Sequence, residues 1–182
     1  MIYAFLANGF EETEAIAPID ILRRCGKELL TVGVGGKNVV SSHNIKVECD
    51  ITESEIKLND DLELIILPGG LKGTENLEAS KTVSEAIDFC VSNNRYIAAI
   101  CAAPTILGKR GLLDGKNAIC YRGMEDGLKG AVLSPDTVVA DGYFITGKGA
   151  GVSVEFGLKI AEVLISTEKA AEIADKIMCE KK

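Results

Sequence analysis

One cysteine in this sequence stands where a thiol can react. Cys101 follows an apolar segment at residues 96–100 and precedes a helical segment, with no loop residues between the two. Ala99 and Ala103, two positions to either side, let a strand and a helix approach closely, as in a nucleophile elbow. From this position alone, the amino end of the helix is expected to favour the thiolate and to lower the pKa of Cys101. The alternative is an inert thiol buried in an alanine-rich strand.

Two glycines are predicted to lie at the same edge of the sheet as this cysteine. Gly69 and Gly70 follow an apolar run, and ligands of parallel sheets bind outside the carboxyl ends of the strands. Their backbone N–H groups, with that of Ala102, would form a cradle for an oxyanion or a sulfinate. A plain tight turn is the alternative.

Acidic residues cluster just after the first apolar run, at Glu11, Glu12 and Glu14. Carboxylates in the first turn of a helix usually complement the helix dipole from solvent. One that faces the thiol would instead act as a proton donor. Both interpretations remain open at this point.

The elements that must position these residues follow an alternating β and α pattern, which is typical of a parallel sheet with helices packed against it. Predicted strands lie at residues 2–7, 28–34, 62–67, 96–100, 118–121, 137–140 and 143–146. Predicted helices lie at residues 13–25, 80–91, 102–110, 153–164 and 167–178. A small hairpin is predicted between residues 37 and 50.

Composition sets limits on the kind of protein. A chain of 182 residues with 47% hydrophobic side chains can bury one substantial core, so we expect a single domain over residues 1–182. A net charge of -7 disfavours binding to nucleic acids and to anionic membranes. The apolar runs are too short to span a bilayer. Six widely spaced cysteines without a metal-binding pattern indicate free thiols in the cytoplasm.

Four motifs, taken together, resemble the ThiJ/PfpI superfamily, and in particular its branch of parkinsonism-associated deglycase and redox-protective proteins. They are Glu-Glu-Thr-Glu at 11–14, Leu-Pro-Gly-Gly at 67–70, Ala-Ala-Ile-Cys-Ala-Ala-Pro at 98–104 and Gly-Ala-Gly at 149–151. The resemblance implies a flavodoxin-like three-layer sandwich and a homodimer. It also implies that Cys101 is a nucleophilic, oxidisable thiol, that Glu14 hydrogen-bonds it, and that Gly69, Gly70 and Ala102 supply backbone donors.

Departures from related families narrow the chemistry. Ala102 stands where the peptidase branch has a histidine, so peptide hydrolysis lacks its adjacent base. His43, the single histidine, lies far upstream of the position that amidotransferases require. Tyr121 occupies the place where some deglycase-branch members carry a histidine, and it is a candidate ligand contact.

The leading hypothesis is therefore a glyoxalase or deglycase that acts on 2-oxoaldehydes or early glycation adducts, with Cys101 as nucleophile and Glu14 as proton shuttle. No metal and no organic cofactor are expected. The alternative is an oxidative-stress sensor or a chaperone-like protective protein that uses oxidation of Cys101 without turnover.

Overall fold

The alternating pattern folds into a layered α/β structure. The computed structural model describes residues 1–179, and the last three residues of the predicted 1–182 domain lie outside the described part. The strands are β1 (Ile2–Ala7), β2 (Leu29–Val34), β3 (Asn38–Val40), β4 (Lys46–Glu48), β5 (Ile51–Thr52), β6 (Leu64–Leu67), β7 (Tyr96–Ile100), β8 (Asn117–Ala118), β9 (Val132–Leu133), β10 (Val138–Asp141) and β11 (Phe144–Gly147). The helices are α1 (Glu12–Arg24), α2 (Leu71–Ala79), α3 (Lys81–Ser92), α4 (Pro104–Lys109), α5 (Ser153–Leu164) and α6 (Thr167–Lys176).

The main sheet has seven strands in the order β10-β11-β7-β6-β1-β2-β5. All neighbouring pairs are parallel except β10 and β11, which are antiparallel. The mostly parallel sheet that the sequence predicts is therefore confirmed. Because β1, β6 and β7 are adjacent, the loops that follow them meet at one edge of the sheet.

Helices cover both faces of this sheet. Along β1, Ile2, Ala4 and Leu6 pack into the core shared with α1, α5 and α6. Tyr3, Phe5 and Ala7 alternate with them and pack into the core shared with α2, α3 and α4. This period of two, with both faces apolar, is what a strand buried between two helical layers requires. The expected three-layer sandwich is confirmed.

The predicted hairpin is also present. Strands β3 and β4 pair antiparallel, with Val39 opposite Val47. The turn between them lies against the loop after β1, where Ser42 N–H donates to Phe10 O at 2.8 Å. The hairpin thereby lies beside the amino end of α1.

Some elements differ from the sequence-based expectation. Helix α2 was not predicted, because Gly73 lowers helix propensity in a short segment with few apolar residues. A Cβ atom at Gly73 would lie 2.6 Å from Phe10 Cα, so close packing excludes a larger residue there. The strand expected at 118–121 is only β8, and it pairs with β9 outside the main sheet. Within residues 1–179, no helix is both long enough and apolar enough to cross a membrane.

Candidate active site

Cys101 lies at the turn between β7 and α4 in a backbone conformation that is unusual for a residue with a side chain. Its φ is +65°, in the left-handed region, which costs about 1 kcal/mol for a non-glycine residue. Two hydrogen bonds hold it there: Cys101 N–H donates to Gly147 O at 2.8 Å, and Cys101 O accepts from Tyr121 N–H at 2.7 Å. Strain of this kind, held in place by neighbouring segments of the chain, is common at functional sites.

Helix α4 begins at Pro104, later than the predicted start at residue 102, and residues 101–103 form a turn. The helix has six residues. The dipole of so short a helix does little to lower the pKa of the thiol. Nearby backbone N–H groups have the larger effect in that direction.

Glu14 is the partner of Cys101. It lies in the first turn of α1 and is only 1% exposed. Its Oε2 accepts a hydrogen bond from Gly69 N–H at 2.9 Å, and it also hydrogen-bonds Cys101 and the backbone of Ala150. Burial raises the pKa of Glu14 to about 7, helped by the negative charge of Glu11 and opposed by these hydrogen bonds. The acidic cluster had two interpretations, solvent-exposed carboxylates or one that faces the thiol. Glu14 fits the second, because it lies beside the thiol and away from solvent.

The thiol itself is not activated in the way the sequence suggested. Burial, followed by the charge of Glu14 and its hydrogen bond to the sulfur, raises the pKa of Cys101 to about 12. The backbone N–H groups of Gly70 and Ala102 act in the opposite direction. The expectation of a lowered thiol pKa from position alone is therefore wrong. Glu14 therefore ionises well before Cys101, and because the two groups are in contact, the charge on one affects the titration of the other.

The backbone cradle differs from the prediction in one member. Gly70 and Ala102 direct N–H groups at the sulfur, whereas the N–H of Gly69 donates to Glu14. A Cβ atom at Gly69 would lie 2.5 Å from Glu14 Oε2 and 2.6 Å from Cys101 Cβ. Gly69 therefore contributes to the site by leaving room for these two side chains and by donating a hydrogen bond to the carboxyl.

Tyr121 borders the site at the surface, where 52% of it is exposed. A Cβ atom at Gly149 would lie 3.5 Å from the Tyr121 ring and 3.9 Å from Glu14 Oε1, so the ring and the carboxyl flank this glycine. The position suits a group that contacts a ligand as it enters. Its role stays a prediction.

His43 takes no part in the site. Its Nδ1 lies 2.8 Å from Glu12 Oε1, in the hairpin turn beside α1. Atoms of Glu11, Glu12 and His43 come within 4.8 Å of one another. Glu12 also accepts from Ser42 Oγ, and Glu11 accepts from Glu14 N–H. Since protein contacts account for these groups, we assign no metal to them.

Sequence reasoning missed three backbone or capping contributions. Glu11 caps α1 by accepting from Glu14 N–H, Gly147 O holds the amide of Cys101, and the backbone of Ala150 hydrogen-bonds Glu14. The Gly-Ala-Gly motif at 149–151 is the signal in the sequence that points to the contribution of Ala150.

The fold and site together define an α/β protein with a cysteine at a strand-to-helix turn, whose thiol lies beside a buried carboxyl. Residues 1–163 match the DJ-1/PfpI family. The chain belongs to this family.

Individual relatives agree with this assignment. Protein dj-1beta of Drosophila melanogaster is 38% identical over 176 residues, which cover 95% of this chain and 94% of that protein. The crystal structure of Drosophila melanogaster DJ-1beta has a TM-score of 0.92 at 36% identity and covers 99% of this chain and 98% of that chain.

Two further relatives bear on chemistry. Toxoplasma gondii DJ-1, solved in an oxidized form, has a TM-score of 0.94 at 30% identity and covers 99% of this chain and 98% of that chain. The glutathione-independent glyoxalase DJR-1.2 of Caenorhabditis elegans is 32% identical over 161 residues, which cover 87% of this chain and 85% of that protein.

Proposed function

We propose that this protein converts small 2-oxoaldehydes, or their early glycation adducts, to 2-hydroxy acids, with Cys101 as nucleophile and Glu14 as the acid–base group. The observation that carries the proposal is the buried carboxyl of Glu14, hydrogen-bonded to the thiol, with a pKa of about 7. A general base works best when its pKa lies near the working pH. The name of the Caenorhabditis elegans relative supports the same reaction.

The first step joins the sulfur to the aldehyde carbon. Ionised Glu14 takes the thiol proton as the sulfur attacks, so no free thiolate needs to accumulate. Glu14 passes this proton to the aldehyde oxygen, which leaves a hemithioacetal on Cys101 and an ionised Glu14. The N–H groups of Gly70 and Ala102 face the sulfur. They are the candidate donors to the aldehyde oxygen as negative charge develops on it.

The second step moves a hydrogen within the adduct. Glu14 removes the proton from the former aldehyde carbon, and the resulting enediol is protonated at the neighbouring carbon, which leaves a thioester. Water then hydrolyses the thioester to the hydroxy acid and restores the thiol. Oxidation of one carbon and reduction of its neighbour balance internally, so the reaction requires no external oxidant or reductant, and the proposal uses neither metal nor organic cofactor.

Further expectations belong to the same proposal. Tyr121 contacts the substrate at the mouth of the site. The chain acts as one domain over residues 1–182 and as a homodimer, as the family resemblance implies. A cytoplasmic location is supported by the six cysteines, all of which are free thiols.

The test is the conversion of methylglyoxal to lactate by purified protein, followed by NMR. We expect turnover by the wild type and by Cys25→Ala at the same rate. In Cys101→Ala and Glu14→Gln the rate should fall at least 100-fold, as is typical when a nucleophile or an acid–base group is lost. Cys25 is a matched control because it is also a partly exposed free thiol. Equal lactate formation by wild type and Cys101→Ala would refute the proposal.

A second candidate function is protective oxidation of Cys101 by peroxide. It is favoured by the same N–H groups of Gly70 and Ala102, which are placed to stabilise a sulfinate, and by the oxidized form of the Toxoplasma relative. Each peroxide transfers one oxygen to the sulfur and leaves as water. Intact-mass measurement during peroxide titration should show oxygen added at Cys101 before Cys25 or Cys179, and random oxidation of all three would argue against this function.

A further inference from the structure

Glu11, Glu14 and Gly69 are joined by a closed ring of hydrogen bonds. Glu11 N–H donates to Gly69 O at 3.0 Å, Gly69 N–H donates to Glu14 Oε2 at 2.9 Å, and Glu14 N–H donates to Glu11 Oε2 at 2.7 Å. The ring ties the start of α1 to the loop after β6. Movement of Glu11 would therefore disturb both the carboxyl and the loop that serve Cys101.

Glu11 is also an unusual choice for its place in the helix. It is the N-cap of α1, with an extended backbone (φ -84°, ψ 120°) and a side chain that accepts from Glu14 N–H. Serine, threonine, aspartate and asparagine are the residues that normally fill this position. Glu11 departs from this N-cap preference beside the thiol and the carboxyl, which indicates a role in the site rather than in the stability of the helix.

We propose that Glu11 is a positioning residue for the reaction of Cys101: it fixes Glu14 and the loop after β6 in place, and its negative charge strengthens Glu14 as the base that takes the thiol proton. This inference rests on the proposed function only in assigning Glu11 a role in catalysis. The effect on the thiol can be measured without any turnover.

The surroundings of Glu14 show why the charge of Glu11 matters. Cys101 faces Glu14 from the turn after β7, and backbone groups face it from the loops after β6 and β11. The Tyr121 ring lies across Gly149 from the carboxyl. Glu11 is the carboxylate that acts on Glu14 through its charge, and it raises the pKa of Glu14.

Glu12 provides a matched control. It is the next residue in the chain and carries the same charge, but its carboxylate pairs with His43 at 2.8 Å and accepts from Ser42 Oγ at 3.1 Å. Loss of charge at Glu12 should therefore leave the reactive pair unchanged.

The experiment measures the rate of iodoacetamide alkylation of Cys101 against pH, by mass spectrometry of the peptide that contains it. In the wild type the rate should rise as Glu14 ionises near pH 7. Glu11→Gln keeps an oxygen that can cap Glu14 N–H but removes the charge, so Glu14 becomes a weaker base. The midpoint should move to lower pH, and the rate at the plateau should fall about three- to tenfold.

Glu11→Asp and Glu12→Gln complete the set. Aspartate keeps both a cap and a charge, so its profile should stay close to that of the wild type, and Glu12→Gln should not differ from the wild type at all. An unchanged profile in Glu11→Gln, a midpoint that moves to higher pH, or an equal shift in Glu12→Gln would overturn the inference. If the shift occurs but no variant, nor the wild type, converts methylglyoxal, the inference stands and the proposed function fails.

Discussion

The backbone N–H of Gly69 donates to Glu14 Oε2 at 2.9 Å, although the two residues are 55 positions apart in the chain. This bond and the lack of a side chain at Gly69 let the carboxyl and the thiol meet. Gly69, which the sequence predicted as a backbone donor of the cradle or as part of a tight turn, is thus a spatial requirement of the site.

The first prediction tests that requirement. Gly69→Ala should reduce Cys101 alkylation at pH 7 by at least tenfold and destabilise the fold by about 1–3 kcal/mol, because the added Cβ would overlap Glu14 and Cys101. Gly151→Ala is the control, since a Cβ there would meet nothing within 4 Å. Urea unfolding and alkylation rates measure the two effects. If Gly69→Ala has the alkylation rate and stability of the wild type, the loop can accommodate a Cβ atom and the requirement for glycine is wrong.

The second prediction concerns stability against pH. The folded protein keeps the proton of Glu14 up to about pH 7, whereas the unfolded chain releases it near the ordinary value of 4.5. Between these pH values the folded state binds more protons, so stability falls as pH rises, by about 3 kcal/mol in total from this group.

Glu14→Gln has no proton to lose and should show a flatter curve over pH 4.5–8. The free energy of unfolding of both proteins, measured by chemical denaturation at several pH values, gives the difference directly. Other titrating groups cancel in this comparison because they are present in both proteins. Parallel curves would mean that Glu14 ionises as easily in the fold as in the unfolded chain.

The third prediction uses the backbone strain at Cys101. Neither Cys101→Gly nor Cys101→Ala should turn over methylglyoxal, yet the glycine variant should be more stable by about 1 kcal/mol, since glycine adopts a φ of +65° without strain. At Ala103, where φ is -62°, the same alanine-to-glycine exchange should instead destabilise the protein. Thermal or urea unfolding distinguishes the variants. If Cys101→Gly is less stable than Cys101→Ala, the backbone at residue 101 is not strained.

The fourth prediction concerns Tyr121. If its ring contacts the substrate, Tyr121→Ala should raise KM for methylglyoxal several-fold, through the loss of roughly 1 kcal/mol of ring contact, with little change in kcat. Tyr121→Phe should stay within about twofold of the wild type in both constants, because Glu14 supplies the acid–base chemistry. A collapse of kcat in Tyr121→Phe would instead assign the hydroxyl a catalytic role.

The parts of the fold that the sequence predicted well are those with strong apolar patterns. The bounds of β7 and α5 match the expected ones, because one is a continuous apolar run and the other an amphipathic helix. The mostly parallel sheet and the hairpin also follow from such patterns. Helix α2 escaped prediction because Gly73 and a small number of apolar residues weaken its helical pattern. The close approach of Gly73 to Phe10, which requires this glycine, exists only in the folded chain.

The site was predictable in its residues and less so in its electrostatics. Small residues around Cys101 and the acidic cluster near Glu14 indicated where to look. The proton affinity of the thiol depends on how deeply both groups are buried and on their contact, and neither can be read from local spacing. The orientation of the Gly69 amide and the cap at Glu11 are likewise products of packing between distant segments.

The hydrogen bond from Cys101 N–H to Gly147 O has a consequence for synthesis of the protein. Cys101 leaves the ribosome well before Gly147 and Ala150, which complete its surroundings. In a growing chain, the contacts that Gly147 O makes with the amide of Cys101, and the backbone of Ala150 with Glu14, can form only when β11 docks beside β7. The surroundings of the thiol and the carboxyl are therefore complete only after most of the chain has been made.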